Sequence, residues 1–165
     1  MMKVLSISSA EVSVFSYSTE DEKKVKTAVL NTLPRELWGV VKFSSQILKG
    51  HYNDRMIVLR AGLKREAQSF AHHLLRHLSP MDRRRLLDEL DSRMDSSGNL
   101  YIRLNKQEAF LGYIELGESD PIWIKLKFKS SGRSVSTFSV REALSTLLGE
   151  AGGVSETPED RGPEE

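Results

Sequence analysis

Residues 99–129 read NLYIRLNKQEAFLGYIELGESDPIWIKLKFK, and their alternation decides the fold class. Leu100, Ile102 and Leu104 alternate with Tyr101 and Arg103, and Ile122, Ile124, Leu126 and Phe128 alternate with Trp123, Lys125, Lys127 and Lys129. Successive side chains on a strand point to opposite faces. Each run therefore predicts a strand with one aliphatic face and one basic face that carries an aromatic residue. A short helix, a short extended piece and a turn lie between them.

Upstream, residues 8–18 are rich in β-branched and aromatic side chains, with Val12 and Val14 on one face and Phe15 and Tyr17 on the other. A helix follows. Thr19 and Glu22 have capping-box spacing, and Val25, Ala28, Val29 and Leu33 form its apolar stripe up to Pro34. The next predicted strands are 37–49 and 55–63, joined by the turn-forming residues Gly50–Asp54 into a hairpin. Its loop gathers Lys49, His51 and Tyr52.

Residues 64–95 form the main helical block. Ala67, Phe70, Ala71, Leu74, Leu75 and Leu78 repeat at helical spacing. Ser79-Pro80 then restarts the helix, with Ser79 as cap, Pro80 in the first helical position and Asp82 in the first turn. Leu86, Leu87, Leu90 and Met94 make the second stripe, and Gly98 stops it. A last helix starts at a Ser139/Glu142 capping box, buries Val140, Leu144, Leu147 and Leu148, and ends at Gly149. The order β-α-β-β-α-α-β-(short α, short β)-β-α is too irregular for a doubly wound sheet. It predicts an α+β two-layer sandwich, a mostly antiparallel sheet with helices on one face.

The chain has 165 residues, enough for one domain with a real core. It contains no cysteine, which excludes disulfides, thiolate metal sites and a cysteine nucleophile. No window approaches the roughly 20 apolar residues of a membrane span, and the first fifteen residues carry no long apolar run, so a soluble cytoplasmic protein is expected. The net charge of +1 hides an asymmetry. Residues 150–165 hold six acidic side chains against Arg161, a balance of −5, which leaves +6 on residues 1–149. The tail is rich in Gly, Glu and Pro and is expected to be disordered, so the folded domain is expected to span residues 1–149. A basic body suits an anionic partner, although the same charge also serves solubility.

Candidate chemistry is sparse. His73 and His77 share a helix face at metal-ligand spacing. There is no HExxH pattern and no obvious third ligand follows, so a solvated or partly buried helix face accounts for them better. Arg83, Arg84 and Arg85 can meet phosphates, yet Arg84–Asp88 and Arg85–Glu89 are also spaced to pair along the helix. The carboxylates of residues 116–121, LGESDP, fit a turn better than an acid–base pair. No phosphate-binding glycine loop or hydrolase elbow occurs. Neither a catalytic residue nor a cofactor or metal site is expected. The face with Tyr101, Arg103, Trp123, Lys125, Lys127 and Lys129 remains. It suits RNA, through stacking and phosphate contacts. Lysines also protect an exposed sheet edge from pairing.

Blocks EVSVFSYSTEDEKKV (11–25), LKGHYNDRMIVLRA (48–61) and the stretch from residue 95 to residue 129 resemble an archaeal family of RNA-binding proteins regarded as exosome subunits, formerly a domain of unknown function. The resemblance covers residues 8–130. It rests on Thr19–Glu22, Gly50-His51-Tyr52, Gly98–Tyr101, Asn105-Lys106-Gln107 and Gly117–Pro121. It implies a fold like the RNA-binding domain of the ribosomal protein that holds 5S ribosomal RNA, a non-catalytic RNA-binding role, and the RNA exosome core as a partner. It favours Gly50-His51-Tyr52 and Lys106-Gln107 as exposed partner contacts and the Asn99 and Asp120-Pro121 segments as turns. The expected contacts are Lys125, Lys127, Lys129, Arg103, Trp123, Tyr101, Lys49, His51 and Tyr52. The rival expectation is a homodimeric module anchored by Trp123 and Tyr101, without RNA affinity; a nucleic-acid enzyme is the third.

Overall fold

The computed structural model describes residues 5–49, 54–130 and 135–155. Five strands form one antiparallel sheet in the order β2-β3-β1-β5-β4. They are β1 (Leu5–Tyr17), β2 (Phe43–Lys49), β3 (Arg55–Leu63), β4 (Asn99–Leu104) and β5 (Ile122–Ser130). The helices are α1 (Glu22–Leu30), α2 (Ala67–His77), α3 (Pro80–Asp88), α4 (Leu90–Arg93), α5 (Lys106–Phe110) and α6 (Thr137–Ser155).

Alternation in the strands sets which face is dry. Val12 lies opposite both Ala61 of β3 and Ile124 of β5, and Ile124 lies opposite Ile102 of β4. All four are buried. Onto this face pack Val25, Ala28 and Val29 of α1, Phe70, Leu74 and Leu75 of α2, Leu86 of α3, Leu90 of α4, Ala109 of α5, and Val140 and Leu144 of α6. Each buried Leu, Ile or Phe side chain contributes about 1.5–3 kcal/mol. The expected α+β architecture with an antiparallel sheet is observed.

The local departures have physical causes. The strand expected at 37–49 begins only at Phe43, because Arg35–Leu37 after Pro34 form a 3-10 turn that buries Leu37 in the core. Helix α1 is capped by Asp21, which accepts a hydrogen bond from the Lys23 amide at 2.9 Å, and not by Thr19. Glu20, beside Thr19, is drawn into a turn and accepts from the Tyr17 amide at 3.0 Å. Ser79 caps α3 as predicted, accepting from the Asp82 amide. The helix then breaks at Glu89, so the expected single helix is split into α3 and α4. In α6 the capping box sits three residues earlier, between Ser136 and Ser139, whose amides each donate to the other's hydroxyl at 3.1 Å. The helix runs to Ser155, past the expected stop at Gly149, a glycine costing a helix interior only about 1 kcal/mol.

Lys106 is the main surprise of the fold. Expected as an exposed contact, it is 4% exposed. Its Nζ lies 2.7 Å from Asp120 and 3.1 Å from Glu20, donates to the Phe15 carbonyl at 3.0 Å, and stands over the Tyr17 ring at 5.3 Å. A buried ammonium is tolerable only when so partnered. One side chain thus ties the end of β1 to α5 and to the 117–121 turn. Burial and the Asp120 charge raise the Tyr17 pKa.

That turn also leans on a bare backbone. Gly117 donates to the Arg103 carbonyl at 3.0 Å, and a Cβ there would stand 2.8 Å from the Asn105 Cα. Nothing lies within 4 Å of a Cβ built on Gly62. Gly117→Ala should therefore destabilise the fold by about 1–3 kcal/mol through overpacking, while Gly62→Ala stays near neutral; urea unfolding of the two variants checks both.

Candidate nucleic-acid interface

The second sheet face carries the other half of each alternation. Across it run rows of opposed residues. Ser44, Arg60, Ser13, Trp123 and Arg103 form one row, from β2 to β4. Gly62, Glu11, Lys125 and Tyr101 form the next, and Ser9, Lys127 and Asn99 the one after. Lys127 and Lys129 are exposed and Trp123 is 38% exposed. A shallow groove of about 460 Å³ lined by Glu11, Gly62, Lys64, Lys125 and Lys127 crosses this face. Lys125, Lys127, Lys129, Arg103, Trp123 and Tyr101 are thus brought together as expected.

Lys49 is not. It pairs with Arg55 at the Tyr17 end of the sheet, on the far edge strand, with its side chain on the helix-bearing side. His51 and Tyr52, like Gly50, lie outside the described residues. Arg60 and Lys64 join the face without having been singled out. Arg60 has period-two spacing with Val58 and Gly62, but only the β1–β3 register shows which side it takes, and Lys64, just past β3, joins by lining the groove with Lys125 and Lys127.

A chain of alternating charges lines the β4 side. Arg103 lies 5.8 Å from the Trp123 ring centre and 3.0 Å from Glu118; Glu118 reaches Arg85 at 2.8 Å. Arg85 pairs with Glu89 at 3.3 Å, as its spacing predicts, and Glu89 holds Arg93 at 2.7 Å. Glu118, read from sequence as part of a turn, is therefore the link between two arginines. These pairs keep a third or more of their side chains in solvent, except Arg93, so each is weak and exchangeable. Arg83 of the same cluster serves the fold instead, donating to the Leu78 carbonyl at the end of α2.

Asp95 fixes the start of β4. Its carboxylate accepts from the Ser97 and Asn99 amides at 2.9 and 3.0 Å, the Asn99 side chain at 2.9 Å and the Tyr101 hydroxyl at 3.0 Å. Those hydrogen bonds, the Asn99 ones first, lower its pKa to about 2. Asn99 is thus a buried strand residue that anchors a turn from within.

The histidines pack on one another. The His73 and His77 rings are 4.3 Å apart, and His77 Nδ1 donates to the His73 carbonyl at 2.9 Å. Burial, then the His77 charge, lowers the His73 pKa to about 4. Among the described residues, no group of three or more His, Asp or Glu is placed to hold a metal ion. No described helix is long and apolar enough to cross a membrane.

A family model described as RNA binding matches residues 9–130. The chain belongs to this RNA-binding family. It is 31% identical over 123 residues to RNA-binding protein PAB1135 of Pyrococcus abyssi, which covers 72% of this chain and 80% of that protein. Two solved structures share the fold, both described as DUF54 proteins. AF2318 from Archaeglobus fulgidus is 30% identical with a TM-score of 0.72, over 86% of this chain and 99% of that one. Mth689 from Methanothermobacter thermautotrophicus is 28% identical with a TM-score of 0.68, over 86% and 98%. The family span encloses every residue of the rows described above and stops before α6.

Asp95 gives this region an acid signature. Its folded pKa lies below the ordinary 3.8, so its contribution to stability is complete above that value and fades as pH falls toward about 2. Asp95→Asn should be less stable than the parent at pH 6, and the gap should narrow between pH 4 and 2; denaturant unfolding across that range checks it.

Proposed function

We propose that the open face of the sheet binds RNA without catalysing a reaction on it. The observation that carries this reading is the row of Lys125, Lys127 and Lys129 on β5, one strand from the centre of a sheet whose helices bury their apolar side chains against the opposite face. Lysines at every second residue there would meet successive phosphates, and Trp123 and Tyr101 supply ring faces for bases. Arg103 contributes by exchanging Glu118 for a phosphate. Arg60 and Lys64 extend the same positive field across β1. Membership in an RNA-binding family supports the reading, and so does the description of its Pyrococcus abyssi relative.

The finer form of the proposal is an RNA with structured elements as ligand, and a place for the protein as an accessory of an archaeal-type RNA exosome in the cytoplasm. The resemblance to the 5S-RNA-binding ribosomal protein belongs to this finer form. His51 and Tyr52 are secondary contacts in it, and Lys49 drops out, since it faces the other way. Association with the exosome core would leave the lysine face free for RNA.

Phosphate contacts release counterions, so affinity for RNA should fall linearly with salt on logarithmic axes, with a slope of about −2 to −3 if the three lysines each neutralise one phosphate. Gel shifts at two salt concentrations measure it. Reversal of all three lysines to glutamate should abolish the shift at low salt. Failure of the unaltered protein to shift any RNA at low salt would sink the proposal.

A further inference from the structure

A cleft of about 340 Å³ opens at the β4 edge of the open face. Trp123, Tyr101 and Arg103 line it from the sheet, and Arg93, Met94 and Asp95 line it from the end of α4. We infer that this cleft takes a single unpaired nucleotide, stacked on Trp123, with its phosphate on Arg103 and the buried Arg93 charge behind it. The inference rests on the RNA-binding reading and narrows it to one kind of RNA feature.

Size comes first. The cleft sits at the lower limit of small-molecule sites, which run from about 300 Å³. It can accept one base with its sugar and phosphate, but not a paired helix. RNA-binding proteins read unpaired bases by stacking them on aromatic rings and arginine planes. Trp123 is only partly exposed and already has the Arg103 guanidinium beside its ring. Tyr101 is held in place by its hydrogen bond to Asp95. Both walls are therefore ordered before a ligand arrives, which lowers the entropic cost of binding.

Arg93 provides the independent observation. Its side chain is 3% exposed, and Glu89 takes its Nε and one terminal nitrogen. The other terminal nitrogen, Nη1, has no hydrogen-bond partner among the described residues. A buried unpaired donor on a guanidinium is costly. Nη1 is closed off from solvent, so Arg93 acts as a fixed positive charge in the cleft wall and Arg103 is the phosphate contact. Glu118 supplies the opposite charge at Arg103 until a phosphate displaces it, while Glu89 keeps the buried Arg93 compensated.

The experiment compares two RNAs, a fully paired duplex and the same duplex with one bulged nucleotide, by fluorescence anisotropy at fixed salt. The bulged RNA should bind about tenfold more tightly, in the range of one stacked base. Trp123→Leu should bring the ratio of affinities near one. In a Trp38→Phe protein, whose remaining tryptophan is Trp123, the bulged RNA should quench emission and the paired duplex should not. Equal affinity for both RNAs, or equal quenching, overturns the inference while RNA binding stands. If neither RNA binds at low salt, the RNA-binding reading fails as well.

Discussion

The pairing of β1 with both β3 and β5 is the constraint on which the molecule depends. β1 is the central strand, and its register aligns the alternation of its neighbours. Val12 and Val14 look into the helical layer, while Glu11 and Ser13 look out. A slip by one residue would send the lysines of β5 into the core and its isoleucines into water. The apolar face therefore specifies the position of the basic one. The same register brings Arg60, from a strand two places away, into line with Trp123 and Arg103.

Two electrostatic clusters finish what the sheet begins. Lys106, bound by Glu20 and Asp120, holds the entrance to β5 against the end of β1. Asp95 does the same at the start of β4 by gathering four hydrogen bonds. Between them lies the chain from Arg103 through Glu118, Arg85 and Glu89 to Arg93. It links three guanidinium groups, Arg103 beside the Trp123 ring among them, without letting their repulsion build up. Buried charges thus serve as framework here, and the exposed ones are left for a partner.

The sequence made the strand pair of residues 99–129 legible because its period-two pattern is uninterrupted, and the same holds for the apolar stripe from Ala67 to Leu78. Ser79-Pro80 announced its helix through local chemistry alone. What escaped was set by distant contacts. Thr19 looks like a cap, but Glu20 is pulled toward Lys106, and Asp21 takes the role. Lys106 itself, polar and next to an exposed glutamine, gave no sign of its burial, since its partners are about 14 and 86 residues away. Lys49 seemed to belong with the other cations until the β2–β3 register put it on the helix side. Glu118 read as a turn residue because its two arginines come from separate elements. The basic face was legible by alternation, whereas its reach across β3 and its arginine rim needed the sheet order.

Photo-crosslinking of the protein to RNA containing 4-thiouridine, followed by mass spectrometry of the joined peptides, tests the central claim most directly. The account predicts crosslinks in residues 99–104 and 122–129, with further ones around Arg60, and none on the solvent side of α2, α3 or α6. Crosslinks confined to those helices, with the open face unmodified, would contradict it.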